Sequence, residues 1–105
     1  MPSSVKKYEG IYNEPNGAMN PTGNIIRDAW VFGILPETET CEGWAMQRIE
    51  GLYDQVTAAW APYGHMVSQL PPELAEKHKR IYDQAIAHAR KQGWDPGLGD
   101  EDMLA

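Results

Sequence analysis

Cys41 is the residue whose type and position most directly suggest chemistry. It is the single cysteine among 105 residues, and it lies near the predicted start of a helix, where the helix dipole lowers a thiol pKa. A thiolate there could act as a nucleophile or a sulfur carrier. However, Glu37, Glu39 and Glu42 surround it, and their charges disfavour the thiolate. The sequence therefore favours a structural role for Cys41, with a reactive thiol as the alternative.

Three histidines could act as bases or metal ligands. His78 lies in the predicted apolar stripe of a helix, so a buried, hydrogen-bonded histidine competes with a catalytic base. His88 is about 80° further around the same helix, and His65 falls in a predicted loop. No pair has the spacing of a His-x-x-x-His, Cys-x-x-Cys or Glu-x-x-His metal site. We therefore predict no metal site.

The remaining motifs of catalysis and cofactor binding are absent from the sequence. The glycines of Gly97-Leu98-Gly99 lack the third glycine and the following helix of a dinucleotide loop, and no Gly-x-Ser-x-Gly occurs. Asp28, beside Trp30, is the only acid flanked by apolar residues, and it could equally pair with Arg27 or face solvent. The sequence predicts no cofactor and identifies no catalytic set.

Aromatic residues are the other strong signal, with four Trp, five Tyr and one Phe. Large rings fill small cores and are also enriched at protein interfaces. Trp60, Tyr53 and Tyr82 follow helical spacing, which favours the core. Residues at the ends of predicted helices and in the loop between them are the predicted interface, namely Trp44, Tyr63, Met66 and Trp94.

Charge and hydropathy restrict the possible partners. The net charge is −6, and nine scattered basic residues do not form the clustered surface that nucleic acid requires. No apolar run approaches the ~18 residues of a membrane span, and no apolar leader is evident. A single cysteine fits a reducing compartment. We expect a cytoplasmic protein that binds another protein chain and that binds neither nucleic acid nor a membrane.

Two amphipathic helices must position these residues. The first is predicted over about 42–61, capped by Thr38 or Thr40. The second is predicted over 72–92, with Pro72 at its first position and Gly93 just beyond its end. Together they form a predicted helical hairpin. Each apolar stripe is wider than the other helix can cover, so another segment or chain must pack on them.

Residues 1–39 complete the predicted fold. Residues 24–35 are rich in β-branched and aromatic side chains, which favours a strand, and Pro36 ends the run. We therefore predict an α+β domain over 1–94, with one or two short strands packed on the hairpin. The alternative is mainly α, with residues 1–39 wrapped irregularly across the helices. Residues 95–105 are predicted to form an acidic, disordered tail.

Two function classes follow from these observations. The first is a non-enzymatic interaction or accessory protein, acting as a homo-oligomer or as a subunit of a larger assembly. The aromatic excess and the missing catalytic set favour it. The alternative is a small enzyme or carrier that uses Cys41 or His78.

Overall fold

The computed structural model describes residues 7–94, which contain three α-helices. These are α1 (Pro21–Val31), α2 (Met46–Trp60) and α3 (Pro72–Lys91), with short 3-10 turns at Pro15–Ala18, Ala61–Tyr63 and Val67–Gln69. The only β-pairing in this part of the chain is an isolated antiparallel bridge between Lys7 and Ala45. The α+β expectation is therefore not supported, and the mainly-α alternative fits.

Helix α1 occupies the stretch where the sequence predicted a strand, so that prediction was wrong. The Asn20 side chain caps the helix by accepting a 2.8 Å hydrogen bond from the Gly23 amide, and Pro21 takes the first helical position. Ile26, Ala29 and Trp30 are buried at helical spacing. The cap and the proline outweigh β propensity, which depends strongly on context.

Helix α2 begins later than predicted, at Met46, and neither Thr38 nor Thr40 caps it. The residue before it, Ala45, makes no side-chain cap. Trp60, which its helical spacing assigned to the core, is buried together with Ile49, Leu52 and Val56, and Tyr53 packs against the core as a partly buried residue. The core face of this helix was therefore predicted better than its start.

Helix α3 matches its predicted range, and the predicted ending at Gly93 is confirmed. Gly93 has a φ of 98°, and its amide donates to the Arg90 carbonyl at 3.1 Å. The Trp94 amide donates back to the Ala89 carbonyl at 3.0 Å. This pair of bonds is a Schellman motif, in which glycine adopts the left-handed conformation without strain.

Helix α1 lies between the other two helices and contacts both. Helices α2 and α3 therefore bury their apolar faces mainly on α1 rather than on each other, so the predicted hairpin is splayed around a third helix. The core combines residues of all three helices with Tyr8, Ile11 and Cys41 from the connecting segments. The wide apolar stripes are thus covered in part by residues within 7–39, one of the two possibilities that the sequence left open.

Residues 7–18, which precede α1 and which we call the N-terminal segment, run across α3 and end in an unusual turn. Asn16, Gly17 and Ala18 all have positive φ values, of 57°, 65° and 55°, in the left-handed region that only glycine adopts readily. Gly17 and Ala18 are buried, and Gly17 lies directly against Ala89 of α3. This turn fixes the segment so that Ile11 and Tyr12 face α1 and α3.

Two further predictions concern the termini and membranes. The predicted tail, residues 95–105, lies outside the described residues. Within residues 7–94, none of the helices combines the length and the apolar character that a bilayer crossing requires.

Candidate functional site

Cys41 is placed in the core rather than at a reactive position. Its side chain is 0% exposed, and it lies in the loop before α2 with a φ of 63°, so no helix N-terminus activates it. Burial raises the pKa of the Cys41 thiol to about 11, and the nearby charge of Glu39 contributes in the same direction. The thiol is therefore protonated near neutral pH, which supports the structural role.

We expect Cys41 to react with an aromatic disulfide reagent only when the protein unfolds. Both burial and the raised pKa lower the reactive thiolate population. The measurement compares labelling rates at pH 7 with and without denaturant. Rapid labelling of the native protein, at the rate of a free thiol, would contradict the structural role and favour the carrier hypothesis.

His78 packs among aromatic rings on the side of α3 that faces α1 and α2. Its ring stacks on Tyr82, with centroids 4.4 Å apart, and meets Trp60 edge-on at 6.2 Å. Burial lowers the pKa of His78, while the charge of Asp28 opposes that shift. The neutral imidazole is therefore the form that the fold favours, and its contacts are those of a packing residue.

We expect the protonation of His78 to destabilise the protein in mild acid. Because its pKa in the fold lies below the ordinary 6.5, the unfolded chain takes up the proton first as the pH falls. The contribution of His78 should leave the free energy of unfolding at its maximum above pH 6.5. This free energy should decrease as the pH falls below 6.5 and should level off once the pH is below the lowered pKa. Denaturant titrations of wild type and His78→Phe test this. An identical pH dependence in the two proteins would contradict it.

Within residues 7–94, Asp28 forms no ion pair, and its partly buried carboxylate accepts hydrogen bonds from the side chains of Trp60 and Tyr82. Its Oδ2 accepts from the Trp60 indole N–H at 3.0 Å, and its Oδ1 accepts from the Tyr82 hydroxyl at 2.6 Å. Burial, followed by the Asp28 charge and this hydrogen bond, raises the pKa of Tyr82. The carboxylate joins α1 to α2 and α3, and both its oxygens are occupied, which indicates a structural role.

The four predicted interface residues do not all lie together, because α2 separates Trp44 from Tyr63 and Met66. Trp44 precedes α2, with the Arg48 guanidinium 3.7 Å from its ring centroid, whereas Tyr63 and Met66 follow α2. The two ends of this helix are about 22 Å apart. Tyr63 stacks on Phe32, while Met66 is 52% exposed. Trp94 lies just after the C-terminal end of α3. Self-association through these residues stays a prediction.

A cavity between the N-terminal segment, α1 and α3 is the best candidate for a functional site. We call it the groove. It has a volume of about 270 Å³. Its lining residues are Ile11, Tyr12, Arg27, Trp30, Glu37, Ile81, Gln84, Ala85 and His88.

Arg27 contributes a buried positive charge to the groove. The residue is 3% exposed, and its guanidinium donates to the carbonyls of Ala18 and Gly17 and to Asn24 Oδ1. Within residues 7–94 no carboxylate forms an ion pair with it. Burial lowers the pKa of Arg27, which reflects the cost of a cation that only neutral oxygens solvate.

Aromatic rings form the wall of the groove. Tyr12 lies 6.4 Å from Trp30 and 5.6 Å from His88, measured between ring centroids. The Trp30 indole is fixed by a 3.0 Å hydrogen bond to the Glu39 carbonyl, whereas Tyr12 is 56% exposed. The Nε2 atom of His88 is buried and lacks a hydrogen-bond partner in the described part of the chain. A buried polar atom in that state is rare in folded proteins.

A second depression has a larger volume, but three of its polar residues form hydrogen bonds with one another. It has a volume of about 510 Å³ and lies beside Tyr8, Glu14 and Asn20. The Glu14 carboxylate accepts hydrogen bonds from the Tyr8 hydroxyl and from Asn20 Nδ2, the latter at 2.7 Å. These groups satisfy one another, and the other charged residues of this depression, Lys7 and Glu9, are exposed to solvent.

Sequence reasoning missed the groove almost entirely. From the sequence, Arg27 was considered only as a possible partner of Asp28, His88 only as a base or a metal ligand, and Tyr12 received no role. The one available signal was a basic residue inside an otherwise apolar stretch, which predicts a buried charge once that stretch is helical. Among the described residues, no cluster of three His, Cys, Asp or Glu side chains could hold a metal ion.

Comparisons of the chain with models of protein families, with curated proteins and with solved structures found no match.

Proposed function

We propose that this protein is a non-enzymatic accessory protein that binds a small ligand in the groove. The observation that carries the proposal is Arg27, a buried cation at the wall of an aromatic cavity. Binding sites are typically apolar cavities with a few well-placed polar groups, and the groove combines Trp30 and Tyr12 with Arg27 and His88. A cytoplasmic location remains part of the proposal.

The enzymatic alternative has less support from the two residues on which it depended. The Cys41 thiol is buried, and its pKa is raised to about 11. His78 is enclosed by Trp60 and Tyr82 and does not line the groove. Neither residue combines access to a cavity with an activated protonation state, which nucleophilic or base catalysis requires.

Indole is a suitable first probe because it is a flat, neutral ring that the groove can contain. We expect a Kd of about 1 mM, since a fragment of this size typically gains about 4 kcal/mol on binding. The measurement is a titration of the ¹⁵N-labelled protein followed by amide chemical shifts. The largest changes should fall at Tyr12, Trp30 and His88.

Tyr12→Ala and Met66→Ala form a matched pair for this titration. Both side chains are exposed by about half, so neither substitution should unfold the protein, but only Tyr12 lines the groove. Tyr12→Ala should weaken indole binding and Met66→Ala should not. Shift changes spread evenly over the surface, or absent at about 10 mM indole, would contradict the proposed binding function.

Self-association is a second candidate function, favoured by two consecutive exposed apolar residues. Met66 and Val67 are 52% and 48% exposed in the loop between α2 and α3, and exposed apolar patches often mark interfaces. A two-fold dimer is the commonest closed arrangement. Sedimentation equilibrium at micromolar concentration tests it. A dimer that Met66→Gln with Val67→Thr converts to monomer would support this candidate, and a wild-type monomer would contradict it.

A further inference from the structure

We infer that the ligand of the groove is a small molecule with a carboxylate group attached to a planar ring. The Arg27 guanidinium would hold the carboxylate, and the ring would lie against Trp30 and Tyr12. This inference rests on the proposed binding function and adds the chemical class of the ligand.

The first step of the argument is the hydrogen bonding of Arg27. A guanidinium has five N–H donors, and the bonds to Ala18, Gly17 and Asn24 use three of them. Two donors therefore remain without a partner in residues 7–94. Two oxygens of one carboxylate match two neighbouring guanidinium N–H groups, and such charge-assisted pairs are among the strongest hydrogen bonds in proteins.

The second step is the balance of charge around the groove. Among the described lining residues, Glu37 is the one acid, and its two carboxylate oxygens each accept a 2.9 Å hydrogen bond from Arg80. That ion pair neutralises Glu37, so no free carboxylate of the described lining opposes the charge of Arg27; Glu14, outside the lining, attracts it without forming an ion pair. A buried unpaired charge is costly, and an anionic ligand would offset that cost. A cationic ligand would increase it.

The third step is the size and polarity of the remaining space. A volume of about 270 Å³ is slightly below the range typical of sites for drug-sized molecules, so a single ring with a short side chain fits it. The rings of Trp30 and Tyr12 provide apolar contact, since stacked or tilted aromatic pairs are favourable. The Nε2 atom of His88, which has no hydrogen-bond partner within residues 7–94, offers a further polar contact.

Three probes that differ mainly in charge test the inference on the wild-type protein. Phenylacetate carries the carboxylate, phenylacetamide is its neutral counterpart of almost the same shape, and phenethylamine is a cation with the same ring. Chemical-shift titrations of the full chain at low ionic strength give the three Kd values. We expect phenylacetate to bind at least about tenfold more tightly than phenylacetamide, because hydrogen bonds to a charged group exceed neutral ones by about that factor. Phenethylamine should bind most weakly.

Gln84→Glu tests the charge preference without disturbing Arg27. Gln84 is exposed and lines the groove, so the variant adds a negative charge at its rim. It should weaken phenylacetate binding several-fold more than it changes phenylacetamide binding, because only phenylacetate carries a charge that the new carboxylate repels. Gln55→Glu is the matched control, because it makes the same change of charge on an exposed position of α2, which does not line the groove.

The outcomes separate the inference from the proposed function. Tighter binding of phenylacetate, weakened by Gln84→Glu alone, supports both. Equal binding of phenylacetate and phenylacetamide in the groove, or preference for phenethylamine, overturns the carboxylate inference and leaves the binding function standing. Binding of none of the probes, including indole, overturns both.

Discussion

Gly17→Ala is expected to lower the free energy of unfolding by about 2–4 kcal/mol, because it combines overpacking with backbone strain. A Cβ atom at this position would lie 2.6 Å from Ala89 Cα and 2.7 Å from Ala89 Cβ, which is closer than a Cβ approaches a non-bonded carbon atom in folded proteins. Gly17 also has a φ of 65°, which a residue with a side chain adopts only at a cost. The turn is also restrained on its other side, since the Gly17 carbonyl accepts a hydrogen bond from Arg27 of α1.

Gly51→Ala provides the control for this prediction. Gly51 lies in the middle of α2, is exposed, and has open space where a Cβ would be. The same substitution there should raise the free energy of unfolding by about 0.5–1 kcal/mol, the usual difference in helix propensity. Equilibrium denaturation in urea measures both changes. A loss below about 1 kcal/mol for Gly17→Ala would mean that the N-terminal segment is not packed tightly on α3.

The same contact connects stability to the groove. If Gly17→Ala moves the turn away from α3, the carbonyls that hold Arg27 move with it. We therefore expect Gly17→Ala to bind phenylacetate more weakly than the wild type. The comparison is made without denaturant, where the helices of the variant remain formed. Gly51→Ala should leave that binding unchanged.

Helix α3 was predictable from sequence because its signals are local. Pro72 at the first helical position and Gly93 after the last turn act through the backbone of their own segment, so no knowledge of the tertiary structure was needed. Helix α1 carried a similar signal, since Asn20-Pro21 can cap and start a helix as readily as it forms a turn. The β-branched and aromatic residues that follow were given too much weight.

The groove could not be predicted because it depends on contacts between distant segments. Tyr12 meets Trp30 and His88, which lie 18 and 76 positions further along the chain. No periodicity or sequence motif predicts contacts between residues so far apart in the chain. The positive φ of Ala18 and Asn16 likewise has no sequence signal, because these residues adopt that conformation only when the surrounding structure imposes it.

Asp28→Ala should lower the free energy of unfolding by about 2–3 kcal/mol, since it removes two hydrogen bonds to a charged acceptor. The Tyr82 hydroxyl retains the Asn24 carbonyl, 3.1 Å away, as an acceptor. The Trp60 indole N–H has no other acceptor among the described residues, and it would remain buried and unsatisfied. The principal loss therefore falls on the contact between α1 and α2.

Asp28→Asn separates the geometry of this junction from its charge. The amide oxygen can accept from the Trp60 indole N–H, and the amide N–H can donate to the Tyr82 oxygen while that hydroxyl donates to Asn24. We therefore expect Asp28→Asn to cost about 1 kcal/mol or less, because only the charge assistance is lost. It should also lower the pKa of Tyr82, since the Asp28 charge is one cause of its rise.

A double-mutant cycle with Trp60→Phe assigns the cost of Asp28→Ala to a particular bond. Phenylalanine keeps the ring in the core but has no N–H group, so nothing is left unsatisfied when Asp28 is also replaced. If the indole bond carries the effect, the double variant Asp28→Ala/Trp60→Phe should be more stable than the sum of the single losses predicts, by about 1–2 kcal/mol. Urea denaturation of the four proteins gives this coupling. Strict additivity would show that Asp28 stabilises the three helices through Tyr82 alone, and the hydrogen bond to Trp60 would then have no energetic role.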